Sequence, residues 1–218
     1  MNRSRTSSER KPGLLFVVAA PSGAGKTSLC RALLARLEKD GDPELRWSCS
    51  YTTRKPRAGE ENGRDYFFVD DATFDKMIAA NDFVEWAHVH GKRYGTSRSY
   101  LDQAREQGVD LLLEIDIQGA RSLKDQKLDA RFVFVLPPSW SVLESRLRGR
   151  GTEAEAEVLR RLTTAKKEML EWDWFHYIIV NDSFDRAVDR LRAIVLAGRS
   201  GREVMAREVR QILAELEK

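Results

Sequence analysis

The apolar positions of the chain fall into two kinds of segment. Four runs are short and nearly continuous, as in strands that are buried on both faces of a sheet. Between them, apolar residues recur every three or four positions, which is the spacing of one helix face. The four predicted core strands cover residues 14–20, 109–116, 131–136 and 177–180. This alternation predicts an α/β fold in which helices flank a parallel sheet.

A different pattern occupies residues 47–96, which we predict to form a small, mostly β unit inserted into the α/β domain. Residues 46–53 alternate in strand fashion, with Trp47, Cys49 and Tyr51 on one face. Further predicted elements of this unit are strands at 66–69 and 83–90, a helix at 71–80 and a hairpin turn within 91–96. The core domain is then expected to comprise residues 13–46, 97–138 and 171–218.

Other helices are predicted from serine or threonine caps that precede apolar residues at helical spacing. They begin at Ser97 or Ser99, at Ser139, at the capping box of residues 152–155 and at Ser183. The helix after the capping box carries the stripe Val158, Leu162, Ala165 and Met169. A last helix carries Met205, Val209, Ile212 and Leu216 on one side. That stripe indicates either core packing or a contact between copies of the chain.

The first apolar run leads into a loop of small residues. This loop and the start of the next helix contain Pro21, Ser22, Gly23, Ala24, Gly25, Lys26, Thr27 and Ser28. A strand, a glycine-bearing loop, a Lys-Thr pair and a helix are the context of a phosphate-binding P-loop. The glycines let successive N–H groups face one anion, Lys26 adds charge for the phosphates, and the Thr27 hydroxyl is a ligand for Mg²⁺.

Ala20 departs from the strict P-loop pattern, which has glycine at that position. An ordinary connection between a strand and a helix is therefore an alternative. The flanking elements and the Lys-Thr pair favour a nucleoside triphosphate site.

Two clusters of arginine suggest further phosphate contacts. Arg54 and Arg57 lie in a long polar loop shortly before Tyr66, and guanidinium groups bind phosphate oxygens in pairs. Solvated surface arginines are the alternative. Five more arginines lie between residues 146 and 161: Arg146, Arg148, Arg150, Arg160 and Arg161. The glycines at 149 and 151 flank the third of them and would let this segment move. Residues 139–170 are therefore predicted to form a helical lid over a transferring phosphoryl group, with an ordinary basic surface helix as the alternative.

Charge and composition limit the other classes of function. The net charge of +3 equals that of residues 1–12, a Ser- and Arg-rich tail that we expect to be disordered, so the remainder of the chain is balanced. We therefore do not expect a nucleic acid partner, although a binder that uses the tail is a rival interpretation. No apolar run approaches the ~20 residues of a membrane span, so we expect no membrane association. Cys30 and Cys49 make no disulfide framework, which favours a cytoplasmic location.

Six segments, in order and at matching spacing, resemble guanylate kinase. They are residues 20–27, 50–66, 83–87, 94–96, 114–119 and 148–153, and the resemblance extends from about Leu14 to Ala197. The segment that begins Ser50-Tyr51-Thr52-Thr53-Arg54 is the most specific of them. The resemblance implies a P-loop nucleoside monophosphate kinase fold, ATP and GMP as substrates, Mg²⁺ as cofactor, and transfer of a phosphoryl group from ATP to GMP.

The resemblance also implies residue roles. Arg54, Arg57, Tyr66 and Tyr94 would hold the GMP phosphate, Ser50, Glu85, Thr96 and Asp116 would read the guanine, and Glu114 joins these substrate-binding residues. Lys26, Arg57, Arg146, Arg150 and Arg161 would act in catalysis, and Asn181 would approach the adenine. A non-catalytic interaction module with this fold is the alternative. Self-association through the C-terminal helix is a further expectation.

Overall fold

The structure is a computed structural model that describes residues 11–42, 44–89, 91–149 and 155–216. Its strands are β1 (Leu15–Ala19), β2 (Leu45–Trp47), β3 (Tyr51–Thr52), β4 (Phe67–Phe68), β5 (Phe83–Val89), β6 (Lys92–Ser97), β7 (Asp110–Glu114), β8 (Arg131–Leu136) and β9 (Tyr177–Val180). Its α-helices are α1 (Lys26–Lys39), α2 (Asp71–Ala79), α3 (Arg98–Glu106), α4 (Ile117–Asp125), α5 (Trp140–Arg148), α6 (Glu155–Met169), α7 (Phe184–Arg199) and α8 (Arg202–Leu213). Residues Trp172–Trp174 form a 3₁₀ turn.

The core is a parallel sheet of five strands in the order β2-β7-β1-β8-β9. All five residues of β1 are buried, because helices cover both faces. Phe16 and Val18 pack with α1 and α7 on one face, whereas Val17 and Ala19 pack with α3 and α4 on the other. The predicted α/β fold with a flanked parallel sheet is confirmed.

A second sheet carries the inserted unit, with four strands in the order β4-β3-β6-β5. Strand β6 runs antiparallel to both β3 and β5, which confirms the predicted hairpin of β5 and β6. Phe74 of α2 is fully buried and lies 4.6 Å from Phe83 between ring centroids. The unit therefore has its own small aromatic core.

The prediction of one strand over residues 46–53 is wrong. Trp47 pairs with Leu112 in the five-stranded sheet, whereas Tyr51 pairs with Gly95 in the second sheet. Between these two strands Ser48, Cys49 and Ser50 are all buried, so the alternation of polar and apolar residues in the sequence does not mark the break. The predicted limit between the core and the unit at residues 46/47 falls inside β2, and the crossing lies at residues 48–50. The division into units remains a proposal.

Helix α4 is a further element that the hydrophobic pattern did not predict. It begins after Asp116, whose Oδ1 accepts a hydrogen bond from the N–H of Gly119 at 2.9 Å. The caps predicted at Ser97 and Ser139 are confirmed, since their hydroxyls accept from the N–H groups of Tyr100 and Val142. The capping-box residues 152–154 lie outside the described residues.

The C-terminal helix α8 carries its apolar stripe toward solvent. Val209, Ile212 and Leu216 are exposed, and none of the residues of α8 is buried. Core packing of this stripe is therefore wrong, and self-association through it remains a prediction. Within the described ranges, no helix is both long enough and apolar enough to cross a membrane.

Candidate active site

The P-loop connects β1 to α1 and depends on two glycines. Gly23 and Gly25 have φ angles of 89° and 94°, in the left-handed region that side chains disfavour. A Cβ atom on Gly25 would also lie only 2.7 Å from Nδ2 of Asn181. The loop turns into α1 at Lys26, so the unpaired N–H groups of the first helical turn lie at the carboxyl end of the sheet.

Lys26 and Thr27 point to the end of the neighbouring strand β7. The Lys26 ammonium donates to the carbonyl of Ile115 and lies 3.9 Å from Oε1 of Glu114. The Thr27 hydroxyl donates to the same carboxylate oxygen at 2.5 Å. One ammonium, one hydroxyl and one carboxylate therefore meet beside the loop.

Two predicted residues, Asn181 and Arg146, form hydrogen bonds with the P-loop backbone. Nδ2 of Asn181 donates to the carbonyl of Ala24 at 2.9 Å, and Asn181 is buried. Nη1 of Arg146 donates to the same carbonyl at 3.4 Å. Both side chains contact the loop backbone in this structure, so their roles at adenine and at the transferring phosphoryl group remain predictions.

The loop that precedes β4 presents the second group of predicted residues. Arg54 donates to Oε1 of Glu60 at 2.9 Å, and its guanidinium lies 5.3 Å from the centre of the Tyr66 ring. The other Glu60 oxygen accepts from the N–H of Arg57 at 2.7 Å. Through the hydrogen bond from Arg54, Glu60 keeps a pKa below its usual value, so it stays charged and fixes this loop.

Tyr66 and Tyr94 stand next to these arginines. Their rings meet edge to face with centroids 5.8 Å apart, and the Arg54 guanidinium lies 5.3 Å from the centre of the Tyr66 ring. Burial raises the pKa of Tyr66 well above its ordinary value. The Tyr66 hydroxyl therefore stays protonated and is available as a donor to phosphate oxygen.

Glu85 and Thr96 form a buried pair on β5 and β6. The Thr96 hydroxyl donates to Oε1 of Glu85 at 2.5 Å, and both side chains are buried. Burial raises the pKa of Glu85 to about 7, the Thr96 hydrogen bond opposes that rise, and the nearby charge of Asp116 adds to it. A Cβ atom on Gly119 would lie 2.5 Å from Oε2 of Glu85, so a side chain at this position would displace the carboxylate.

One cavity of about 400 Å³ joins the two groups. The predicted residues that line it are Ser22, Gly23, Gly25, Lys26, Thr27, Ser28, Ser50, Arg57, Tyr66, Glu85, Tyr94, Glu114, Asp116 and Arg161. Five predicted residues are absent from the lining: Ala24, Arg54, Thr96, Arg146 and Asn181. The last two donate to the carbonyl of Ala24, Thr96 donates to Glu85, and Arg54 lies over the Tyr66 ring. Arg150 lies outside the described residues. The arrangement can hold one phosphate group at each end of a single cleft.

Comparison with known proteins agrees with this geometry. Residues 13–197 match the family model described as guanylate kinase. The chain belongs to the guanylate kinase family. It is 48% identical to a guanylate kinase of Geobacter sulfurreducens over 86% of this chain and 90% of the relative. A guanylate kinase of Syntrophotalea carbinolica is 50% identical over 86% and 87% of the two chains.

A solved guanylate kinase structure is also similar. The crystal structure of the enzyme from Anaplasma phagocytophilum superposes with a TM-score of 0.71 at 28% identity, over 90% of this chain and 95% of that chain. The fold predicted from the guanylate kinase resemblance is therefore confirmed.

Sequence reasoning missed two acidic residues of α6, within the predicted lid, that line the cavity: Glu157 and Glu168. Oε2 of Glu168 accepts a hydrogen bond from the N–H of Ser22 at 3.4 Å. Nη2 of Arg161 donates to the Ser22 hydroxyl at 2.5 Å. The available signal was spacing, because Glu168 follows the predicted Arg161 by seven residues, which is about two helical turns.

Proposed function

We propose that this chain is a guanylate kinase that transfers the γ-phosphoryl group of ATP to GMP and yields ADP and GDP. The observation that carries the proposal is the single cavity, which Gly25 and Lys26 line together with Arg57, Tyr66 and Glu85. Phosphoryl transfer requires the two phosphates in line, and one cleft with an anion site at each end supplies that arrangement. Membership of the guanylate kinase family supports the same assignment.

In this proposal the P-loop binds the donor. Amide groups around Gly25 and the ammonium of Lys26 neutralise the phosphates of ATP. Arg57 and Tyr66 hold the acceptor phosphate opposite them, with Arg54 behind. Arg161 lines the cavity from α6 and adds charge on the lid side. Catalysis then comes from positioning and charge neutralisation, because the acceptor phosphate oxygen attacks directly.

Guanine selection is assigned to the buried carboxylate of Glu85. Guanine presents the donors N1–H and N2–H₂ on one edge, and a carboxylate accepts from both. Ser50 and Asp116 line the same cavity, and Thr96 supports Glu85. Adenine has an acceptor at N1 and no amino group at C2. It would therefore leave the buried Glu85 carboxylate with the Thr96 hydroxyl and without the two donors that guanine supplies.

The oxygen ligands beside the P-loop fit Mg²⁺. The Thr27 hydroxyl and the Glu114 carboxylate meet at 2.5 Å. Mg²⁺ takes few protein oxygens and completes its shell with water and phosphate oxygens, which agrees with the lack of any larger acidic or histidine metal cluster among the described residues. When bound with ATP, the ion would add positive charge at the β- and γ-phosphates.

The test is an ADP-release assay with GMP, AMP, CMP and UMP side by side. We expect ADP formation with ATP and Mg²⁺ that depends on GMP and is far slower with the other three nucleotides. If GMP binds and no ADP forms, the chain is an interaction module and the proposed function is wrong.

A second assay addresses the tail. We expect removal of residues 1–12 to leave the GMP-dependent rate unchanged, because the cavity is built from residues 20–168. A loss of activity together with a loss of nucleic acid binding would favour the rival interpretation.

A further inference from the structure

Two side chains of the predicted lid helix α6 form hydrogen bonds with one residue of the P-loop. Arg161 donates to the Ser22 hydroxyl at 2.5 Å, and Glu168 accepts from the Ser22 N–H at 3.4 Å. The two residues are about two helical turns apart, so their Cα atoms are separated by roughly 10 Å along the axis. Their long side chains nevertheless converge on Ser22, which makes this residue the junction between lid and loop.

The group that Glu168 contacts belongs to the P-loop, whose N–H groups are suited to phosphate oxygens. A carboxylate there presents negative charge and acceptor oxygens, as a phosphate does. Glu168 lines the cavity, and burial raises its pKa above the ordinary value, with the charge of Asp116 adding to the rise and Lys26 opposing it.

The cavity as a whole is rich in negative charge. Among the described residues, its lining includes five carboxylates, from Glu85, Glu114, Asp116, Glu157 and Glu168, and three cationic side chains, from Lys26, Arg57 and Arg161. In the proposed function, Glu85 reads guanine and Glu114 lies at the Mg²⁺ position. Glu168 has no such use, and its charge opposes a polyphosphate.

We propose that Glu168 is a positioning residue that holds the Ser22 amide in place of a phosphate oxygen until a nucleoside polyphosphate displaces it. Displacement detaches this end of α6 from the P-loop. Arg161, on the same helix, then leaves the Ser22 hydroxyl and turns to the phosphates. The position of the lid thereby depends on the charge of the bound nucleotide. This inference rests on the proposed function, because it takes the P-loop to bind the ATP phosphates.

The first experiment measures ADP binding by titration calorimetry for the wild type and for Glu168→Gln. The glutamine keeps the shape and removes the charge, so we expect ADP to bind about five- to tenfold more tightly, as for one like charge at a range of several Å. The KM for ATP should fall by a similar factor, while the KM for GMP stays unchanged.

Two further variants complete the design. Glu155→Gln removes the same charge from the exposed start of α6 and should leave ADP affinity as in the wild type. Glu168→Ala also lacks the carboxylate, so it should bind ADP more tightly and decides the question if Glu168→Gln does not fold. Unchanged or weaker ADP binding by the folded variants would overturn the proposal.

These outcomes are separate from those of the GMP assay. If the wild type phosphorylates GMP and the Glu168 variants bind ADP no more tightly, only the role of Glu168 is wrong. If the wild type does not phosphorylate GMP and the variants do bind ADP more tightly, the proposed function fails and the competition at the P-loop stands.

Discussion

The two ends of the cavity are built in different ways. The P-loop end uses main-chain N–H groups, two glycines in the left-handed region and one ammonium, all within eight consecutive residues. The end that we propose to bind GMP, called the GMP end below, uses side chains from β5 and β6, Ser50 just before β3 and one long loop. Glu60 fixes that loop. The first end is therefore set by local backbone geometry. The second end is set by pairing between distant segments.

The largest expected effect is at the P-loop end. Lys26→Met should lower kcat by about 10³-fold, because it removes the charge beside the transferring phosphoryl group. The fold should persist, since the Lys26 side chain is partly exposed and packs at the mouth of the cavity. Steady-state kinetics and a thermal melt check both points. Lys39→Met, at the exposed end of the same helix, is the matched control; a Lys26 variant with a near-normal rate would contradict the assignment.

Arg57→Ala tests the other end. It should raise the KM for GMP about 10- to 100-fold, as expected when a charge-assisted hydrogen bond to phosphate is lost. ADP affinity should stay the same, because the P-loop does not depend on this side chain. Calorimetry with GMP and with ADP separates the two ends. Lys55→Ala removes an exposed positive charge from the same loop and should change neither affinity; an equal loss of GMP and ADP binding in Arg57→Ala would show that the ends are not independent.

Glu85→Gln should raise the KM for GMP about tenfold, because the amide accepts from only one of the two guanine donors.

The wild type should also lose kcat/KM for GMP as the pH falls from 8 to 6, because the pKa of Glu85 is raised to about 7 and the neutral carboxyl is the poorer acceptor. Glu85→Gln should lack this step. A pH profile of both proteins decides the matter, and the same step in both would assign it to another group.

The pH dependence of the free energy of unfolding is an independent test of the raised pKa of Glu85. Because its pKa is higher in the folded state than in the unfolded state, its contribution to the free energy of unfolding is present in full at low pH and is lost as the pH rises through about 7. The stability of Glu85→Gln relative to the wild type should therefore increase from pH 5 to pH 8. Urea unfolding at the two pH values measures that difference, and a constant difference would refute the shifted pKa.

The smallest expected effect concerns an ion pair that joins the two ends of the cavity. Nη2 of Arg31, on α1, lies 2.7 Å from Oδ1 of Asp65, which belongs to the loop of the GMP end. Arg31→Gln should raise the KM for GMP by no more than about fivefold, since the Arg31 side chain is exposed and ion pairs at the surface contribute about 1 kcal/mol or less. Arg36→Gln breaks a similar pair on the same helix and should leave the KM unchanged. A larger effect would mean that the two ends are coupled more strongly than their construction suggests.

The same contrast explains what the sequence could predict. The P-loop was predictable from residue types alone, because its strand, glycines, Lys26 and helix are contiguous. The GMP end was not, because Ser50, Glu85 and Tyr94 become neighbours only through the pairing of β3, β5 and β6. Resemblance to guanylate kinase supplied those residues, and the structure brings them to one cavity.

Helix α4 and the role of Glu168 were not predicted, and the reasons are physical. Helix α4 carries Gly119 in its first turn, and glycine lowers helix propensity, so the short apolar stripe gave a weak signal. Gly119 is nevertheless needed where α4 approaches Glu85. Glu168 has the sequence features of an ordinary polar residue on an amphipathic helix. Its importance depends on the docking of α6 against Ser22, which no local pattern reports.

The crossing at residues 48–50 has a mechanical consequence. Because β3 and β6 are antiparallel neighbours in the middle of the small sheet, the chain enters at Tyr51 and leaves at Ser97, at the same end of these two strands. Both chain connections of the inserted unit therefore lie at one end of its sheet, and in the first of them the N–H of Ser48 donates to the carbonyl of Leu112 in the five-stranded sheet at 3.0 Å. Side-chain contacts also join the unit to the core: Nε2 of Gln126 donates to the carbonyl of Val84 at 2.7 Å, and Arg31 pairs with Asp65. A rotation of the whole unit about its two connections would exchange such contacts while every strand pairing of both sheets stays intact.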